Sequence, residues 1–242
     1  FHPVIRNDDC CYKSSSKVIN LAKKYSSDLH VLHLTTEKEI KLFENIDLRN
    51  KKITCEVCVH HLWFDESDYV TQGNFIVCNP AIKKLSDKNA LREALKNGYI
   101  DYVATDHAPH SFEDKKLPYG KAPAGIPLIE HSFHMMIELH KQGLYSLNEV
   151  ISYMSHKVAD RFMIKDRGYI REGYKADLMI FDLNKSTFVS NDTEKTKCGW
   201  TPFNGHTFNS FIYGTIINGK EIIVDGKLVS KNSSAEKIIF NR

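Results

Sequence analysis

Apolar runs and amphipathic segments alternate along the first 125 residues of the chain. Helical spacing of apolar residues marks the segments 14–27, 37–46 and 86–98, and strand-like apolar runs occupy 29–35, 51–59, 75–79 and 99–105. Strands of near-continuous hydrophobicity that are separated by helices predict a parallel sheet that is covered on both faces.

Polar residues mark the expected start of two helices. Ser86 or Asp87 is the predicted N-cap of the first helix, and Gly98 is its predicted stop. Ser146 and Glu149 form a capping-box pattern at the start of the second helix. We therefore expect each helix to begin at a side chain that accepts a hydrogen bond from the first turn.

The pattern changes near residue 168, where short apolar strands alternate with Gly and Asp-Gly turns. Such spacing is typical of hairpins. We therefore predict two domains, an α/β part over 1–165 and a small β unit over 166–242.

Charge and hydropathy argue against two classes of partner. The 33 basic and 30 acidic residues are mixed along the chain, which favours a solvated surface over a nucleic-acid-binding stripe. No run approaches the roughly 18 apolar residues of a membrane span. The sequence shows no signal peptide and starts at Phe1, so we expect that an N-terminal part is missing.

The six cysteines do not suggest a disulfide framework in a chain of this length, which favours a reducing cytosol. Cys55 and Cys58 form a C-x-x-C pattern that His60 and His61 follow, so a zinc knuckle or redox module is one interpretation. A zinc knuckle needs a second ligand pair, and the segment is also strand-like, which would point the two cysteines to opposite faces. We therefore expect free thiols in or beside a strand.

Polar residues stand at the end of the strand-like runs. His33, Asn79 and Asp106 end three of them, and His107 and His110 lie just beyond the last. In a parallel barrel such positions converge on one mouth, where an imidazole and a carboxylate can bind zinc or a similar divalent ion. Structural explanations stay open: His33 as a hydrogen-bonded polar residue, Asn79 as the start of a turn, and Asp106 as a cap.

Several motifs together resemble those of the dihydroorotases in the amidohydrolase superfamily. "ATDHAPH" resembles the strand-8 motif, "HVLHLTT" the strand-6 histidine motif, "CEVCVHHL" and "NPAIK" the strand-7 region, "KAPAGIPLIEH" the substrate-facing loop, "GYIREGYKADLMIFD" the return into a small β-sandwich, and "CGWTPFNG" the C-terminal region. The resemblance covers nearly the whole chain in the expected order.

The resemblance implies part of a metal-dependent (β/α)8 TIM barrel, about strands 6 to 8, and a portion of a C-terminal β-sandwich. It also implies zinc-dependent interconversion of N-carbamoyl-L-aspartate and dihydroorotate in pyrimidine biosynthesis. The family's His-x-His motif, bridging carboxylated Lys or Asp, and strand-5 His are not assignable here. We therefore expect roughly the C-terminal half of a family member, which by itself cannot close a barrel or complete a two-metal site.

By the same resemblance, His33 is a ligand of the second metal, and Asp106 is a ligand of the first metal and the general base. The implied substrate-binding residues are Asn79 at the pyrimidine ring, His110 at the substrate carboxylate, and Ala122, Pro123 and Gly125 in the substrate-facing loop. His107, His60 and His61 match family positions that are not counted among the ligands.

Two other functions stay open. A hydantoinase or allantoinase would use the same metals and base on a different cyclic amide, and a non-catalytic homologue would instead scaffold a partner enzyme. We expect a small-molecule substrate, no nucleic-acid or membrane partner, two zinc ions in the complete site and a cytoplasmic location. Oligomeric state is left open, with a homodimer as the candidate.

Overall fold

The protein is described by a computed structural model that covers residues 1–230, 232 and 234–241. It divides into two compact units, Phe1–Met135 with Val189–His206 and Met136–Phe188 with Thr207–Arg242. The predicted domain boundary at 165/166 falls inside the second unit, so that division stays a prediction. Residues 231, 233 and 242, which belong to the predicted second domain, lie outside the described residues.

The first unit contains a three-stranded parallel sheet in the order β1-β2-β3, which confirms the predicted parallel α/β arrangement. Its strands are β1 (Leu29–Val31), β2 (Ile53–Cys58) and β3 (Tyr102–Ala104). Its helices are α1 (His2–Ile5), α2 (Asp8–Tyr25), α3 (Glu37–Ile40), α4 (Val59–Trp63), α5 (Tyr69–Gln72), α6 (Leu85–Lys96) and α7 (Phe112–Lys116). Short 3-10 turns occupy Leu48–Asn50, Glu66–Asp68, Gly73–Ile76 and Asn191–Thr193.

The central strand β2 is buried along almost its whole length. Cys55, Val57 and Cys58 are all fully buried, as expected of a strand with both faces covered. The strand pairs through Leu29↔Ile53 on one side and Glu56↔Tyr102 on the other. Because both pairings are parallel, the C-terminal ends of all three strands meet at one edge of the sheet. Among the described residues, these strands do not close a barrel.

Three local predictions are wrong. The helix expected over 37–46 ends at Ile40. The run 75–79 is not a strand, because it begins in the turn Gly73–Ile76 and ends before Pro80, which cannot donate to a sheet ladder. Helix α6 begins one residue before the predicted caps, with Lys84 as its N-cap. Asp87 instead accepts a hydrogen bond from the Glu37 backbone N–H at 3.0 Å, so a tertiary contact uses the carboxylate that was expected to cap.

The second unit is built from hairpins and short helices. Its sheets are a four-stranded antiparallel sheet in the order β4-β7-β8-β9 and a two-stranded sheet, β5-β6. The strands are β4 (Leu178–Asp182), β5 (Thr187–Phe188), β6 (Thr207–Phe208), β7 (Phe211–Ile217), β8 (Lys220–Val224) and β9 (Lys227–Leu228). The helices are α8 (Ser132–Lys141, which begins in the first unit's residues), α9 (Leu147–Ile151), a π-helical turn (Ser152–His156) and α10 (Lys157–Phe162).

The turns and the helix cap of this unit are those that the sequence predicts. Asn218-Gly219 and Asp225-Gly226 connect successive strands with positive φ at both residues, as two-residue hairpin turns require. The Ser146–Glu149 capping box of α9 is present in both directions. Within the described part of the chain, no helix is both long enough and apolar enough to cross a membrane.

Candidate active site

His33 and Asp106 lie at the same edge of the parallel sheet. Each follows its strand by two residues, His33 after β1 and Asp106 after β3. Because β1 and β3 both run parallel to β2, the two residues leave the sheet at the same side. We call them the edge pair.

Both members of the edge pair adopt a backbone conformation that is uncommon outside glycine. The φ angle is +43° at His33 and +46° at Asp106. Residues held in this left-handed region cluster at functional sites, where the surrounding structure holds them against a local cost. Five other non-glycine residues, including Ser26 and Met163, also have positive φ, so this conformation agrees with the strand-end argument but does not identify the pair by itself.

The polar side-chain atoms of the edge pair are not used in hydrogen bonds within the described residues. Within residues 1–230, 232 and 234–241, neither the His33 ring nor the Asp106 carboxylate has a hydrogen-bond partner. Partial burial raises the pKa of Asp106, the nearby His33 lowers it, and the nearby Glu56 raises it. An imidazole and a carboxylate in this state are donors that a metal ion can use. His33 and Asp106 would provide two of the four ligands that a zinc site takes, so they fit a zinc ion as part of a ligand set.

His110 is anchored against the loop that contains Ala124 and Gly125. Its Nε2 lies 3.0 Å from the Ala124 carbonyl oxygen, and its own carbonyl accepts a hydrogen bond from Trp200 Nε1 at 2.7 Å. Gly125 has φ +152°, and a Cβ there would lie 2.5 Å from the Ala108 oxygen and 2.8 Å from His110 Cδ2. The close approach of loop and imidazole therefore requires glycine at this position.

The remaining predicted substrate residues lie near this loop or next to a segment tied to it. Ala122 and Pro123 precede Gly125, whose backbone N–H donates to the Val77 oxygen at 2.8 Å. Asn79 is exposed and lies two residues beyond Val77. The structure thus ties the segment that ends at Asn79 to the 122–125 loop, but it gives Asn79 itself no polar contact within the described residues.

His107 has a structural use. Its Nδ1 accepts hydrogen bonds from the backbone N–H groups of Leu128 at 3.0 Å and Ile129 at 3.1 Å. Partial burial lowers the pKa of His107, while Glu194 raises it, which favours the neutral ring that can accept at Nδ1. These contacts agree with the interpretation that His107 follows a ligand and is not one.

A second group of metal-type donors is Cys58, His60 and His61, which we call the buried cluster. The sequence analysis considered these residues only together with Cys55, as a zinc knuckle, and favoured a structural role. Donor atoms of all three lie within 4.8 Å of one another, and all three residues are buried. His60 Nδ1, His60 Nε2 and His61 Nδ1 have no hydrogen-bond partner in the described part of the chain, whereas His61 Nε2 lies 3.1 Å from the Pro80 oxygen. Burial lowers the pKa of His60 to about 3 and that of His61 well below its usual value.

Cys55 stands apart from the buried cluster. Both Cys55 and Cys58 are free and lie in β2, where an offset of three residues points them to opposite faces. The Cys55 thiol faces the Tyr99 oxygen at 3.6 Å. The C-x-x-C pattern therefore does not form a sulfur pair, and the spacing C-x-H-H at the β2–α4 junction was the signal for the cluster.

A polar network on one sheet face was missed by the sequence analysis. His30 Nε2 lies 3.1 Å from Glu56 Oε2 and 2.7 Å from the Tyr102 hydroxyl, and His30 Nδ1 lies 2.8 Å from Thr54 Oγ1. Burial raises the pKa of Glu56, but hydrogen bonds from His30 and Tyr102 outweigh it and lower the pKa overall. Strand alternation places Thr54 and Glu56 on the same face, so this network could have been sought from period-two spacing.

Sequence comparison relates the chain to one family. A sequence model of the amidohydrolase family matches residues 14–222. The dihydroorotase of Ehrlichia canis (strain Jake) is 34% identical over 191 residues, which are 79% of this chain and 42% of that protein. The dihydroorotase of Bacillus subtilis (strain 168) is 32% identical over 210 residues, 86% of this chain and 49% of that protein. The chain thus spans about half the length of the curated relatives it matches.

Structural comparison finds the same architecture. The L-hydantoinase (dihydropyrimidinase) from Arthrobacter aurescens superposes with a TM-score of 0.84 at 25% identity, over 90% of this chain and 50% of that one. The dihydropyrimidinase from Brevibacillus agri NCHU1002 superposes with a TM-score of 0.82 at 24% identity, over 90% and 49% of the two chains, which shows a shared fold. With the family match over residues 14–222, these findings show that the chain belongs to the amidohydrolase family.

Proposed function

We propose that the complete gene product is a dihydroorotase that interconverts N-carbamoyl-L-aspartate and dihydroorotate. The observation that carries this proposal is the edge pair: His33 and Asp106 leave one sheet edge with no hydrogen-bond partner within the described residues. The names of the relatives that are 34% and 32% identical support the substrate class.

In this proposal the edge pair supplies part of a two-zinc site, with His33 on the second metal and Asp106 on the first. The other ligands would come from outside this chain's described strands. When bound, the zinc ions would activate a water molecule near neutral pH and polarise the ring carbonyl. His33 contributes a neutral imidazole nitrogen and Asp106 a carboxylate oxygen, the donor types that zinc binds.

Asp106 acts as the general base in the hydrolytic direction. Its carboxylate takes a proton from the water that attacks the ring carbonyl, and it delivers that proton to the ring nitrogen when the amide C–N bond breaks.

His110 and the 122–125 loop bind the substrate. Nε2 of His110 is directed at the Ala124 oxygen, and Nδ1 has no hydrogen-bond partner within the described residues, so Nδ1 is the ring atom that contacts the substrate carboxylate in this proposal. Asn79 reaches the pyrimidine ring, and the backbone of Ala122, Pro123 and Gly125 borders it. Neutralising a fixed carboxylate by a charge-assisted hydrogen bond is what separates this substrate from an uncarboxylated cyclic amide.

A hydantoinase-type activity is the second candidate, because a solved structure that superposes on this chain at 25% identity is named an L-hydantoinase (dihydropyrimidinase). A hydantoinase would use the edge pair in the same way, but it would not need His110 to bind a substrate carboxylate. A non-catalytic scaffold is disfavoured, because it has no use for an imidazole and a carboxylate at one sheet edge that have no hydrogen-bond partner within the described residues.

The test is to assay the complete gene product on dihydroorotate, dihydrouracil and hydantoin with the metal content measured. A dihydroorotase hydrolyses dihydroorotate and leaves the other two nearly untouched. Turnover of hydantoin at a higher rate than dihydroorotate would replace the proposal by the second candidate. Zinc as the metal, a TIM barrel with a β-sandwich, a homodimer and a cytosolic location stay predictions until they are measured.

A further inference from the structure

A lysine is buried under the proposed substrate loop. Lys115 lies in α7, and its side chain is 0% exposed. Its Nζ donates to the carbonyl oxygens of Pro123 at 2.9 Å, Gly125 at 2.9 Å and Val77 at 3.2 Å. A charged side chain is stable at this depth only when all its donors are hydrogen-bonded. The three N–H donors of the Lys115 ammonium match the three carbonyl acceptors.

The three acceptors belong to two segments that are distant in sequence. Pro123 and Gly125 lie in the substrate loop, and Val77 lies in the segment that leads to Asn79. A direct hydrogen bond from the Gly125 N–H to the Val77 oxygen, at 2.8 Å, joins the same two segments. Lys115 therefore sits at the junction of both proposed substrate-binding segments.

The environment of Lys115 is built to hold a cation. The Trp200 ring centroid lies 5.9 Å from its Nζ, within range of a cation–π contact. The same Trp200 donates from Nε1 to the His110 oxygen at 2.7 Å. Burial lowers the pKa of Lys115 to about 8, while nearby Cys78 raises it, so the ammonium form still predominates at neutral pH.

We propose that Lys115 is a positioning residue that sets His110 by clamping the Val77 segment to the 122–125 loop. The clamp acts through Ala124, whose carbonyl holds His110 Nε2, and through Gly125, which packs directly against the His110 ring. The inference rests on the proposed function, in which His110 binds the substrate carboxylate.

The neighbouring lysine gives a matched control. Lys116 is in the same helix, its side chain is about half exposed, and it pairs with Glu113 at 2.9 Å. Lys116→Met removes the same charge from the same helix without touching the clamp. Lys115→Met removes the ammonium, and Lys115→Arg keeps the charge, but a planar guanidinium cannot direct three donors from one nitrogen.

The experiment measures KM and kcat on dihydroorotate, and amide hydrogen exchange at Gly125, for these three variants of the complete gene product. Lys115→Met should raise KM about 10-fold or more, with a smaller change in kcat. A 10-fold change is the lower limit of the effect expected when hydrogen bonds to a charged group are lost. It should also speed Gly125 exchange, because the N–H of Gly125 bonds across the clamp. Lys115→Arg should fall between Lys115→Met and wild type, and Lys116→Met should match wild type.

The inference is overturned if Lys115→Met keeps wild-type KM and wild-type Gly125 exchange, or if Lys116→Met shows the same losses. If Lys115→Met does not fold, Lys115→Arg decides: a raised KM supports the clamp and a wild-type KM overturns it. If wild type does not hydrolyse dihydroorotate, the proposed function fails, and Gly125 exchange in Lys115→Met against Lys116→Met still tests the clamp on its own.

Discussion

The edge pair and the buried cluster both contain imidazole and other metal-binding donors, but in opposite surroundings. His33 and Asp106 follow strand ends with left-handed backbone and remain partly accessible. His60 and His61 lie in the first turn of α4, where they are fully buried beside Cys58. Both groups have donor atoms without hydrogen bonds within the described residues. The chemical type of the donors therefore does not distinguish a reactive site from a buried structural cluster. Accessibility of the side chains to solvent and substrate does.

Burial also determines what each group can do with a proton. It lowers the pKa of His60 to about 3, so the ring stays neutral over the physiological range. Asp106 is only partly buried. Burial raises its pKa, whereas the neighbouring His33 lowers it. A base must exchange its proton with a substrate, which the edge pair permits and the buried cluster prevents.

The largest expected effect is at Asp106. Asp106→Asn keeps the size of the side chain, removes the base and weakens a metal ligand, so turnover of the complete gene product should fall by about 10² to 10⁴-fold. The matched change in the buried cluster, Cys58→Ser, should leave turnover within a few-fold of wild type. Steady-state kinetics with metal content measured gives the comparison, and an equal loss in the two variants would erase the distinction between the groups.

The next effect sharpens the proposal for His110. His110→Ala leaves the edge pair intact, so dihydroorotate hydrolysis should fall by roughly 10 to 150-fold, the worth of one charge-assisted contact. Dihydrouracil, which lacks the carboxylate, should be much less affected. Equal losses on both substrates with metal retained would reject the carboxylate role and favour the hydantoinase-type candidate.

A stability effect is expected at His60. Within the described residues neither ring nitrogen of His60 has a hydrogen-bond partner, so His60→Leu removes two buried polar atoms and should keep or raise the free energy of unfolding, by about 1–3 kcal/mol at most. The folded pKa, about 3, is below the usual 6.5, so the unfolded state takes up the proton first. Stability from this group is complete above pH 6.5 and is lost as pH falls towards 3.

Urea unfolding of wild type and His60→Leu across this pH range checks the prediction. The variant should show a shallower loss of stability on acidification than wild type does. A steeper loss, or a large destabilisation of His60→Leu at neutral pH, would mean that the His60 nitrogens have partners after all.

The smallest effect concerns thiol reactivity. Burial raises the pKa of Cys55 and Cys58 well above the usual value, which suppresses the reactive thiolate. In the native protein, iodoacetamide should label exposed Cys10 and spare Cys55 and Cys58. Mass spectrometry of labelled peptides measures this, with urea-unfolded protein as the control for full labelling. Native labelling of Cys58 at the rate of Cys10 would show that the buried cluster opens to solvent.

Features that depend on local pattern were predictable. The Ser146–Glu149 capping box, the Asp225-Gly226 turn and the parallel pairing of the strands all follow from neighbouring residues or from the alternation of apolar segments. The positions of His33 and Asp106 followed too, because a parallel sheet brings strand ends together.

Features that depend on long-range contacts were not predictable. Asp87 was expected to cap its own helix, but the Glu37 N–H uses its carboxylate. Lys115 looks like any surface lysine in a charged segment, and its burial becomes visible only when the carbonyls of Val77 and Gly125 converge on it. His60 and Cys58 come together at a strand-to-helix junction whose geometry the sequence pattern does not specify.

The central claim is that the edge pair, and not the buried cluster, binds metal. The most direct measurement is anomalous scattering at the zinc absorption edge from crystals of the complete gene product. The account predicts a peak bound by His33 and Asp106, which His33→Ala reduces and Cys58→Ser leaves unchanged. A peak at Cys58, His60 and His61 with none at His33 and Asp106 would contradict it.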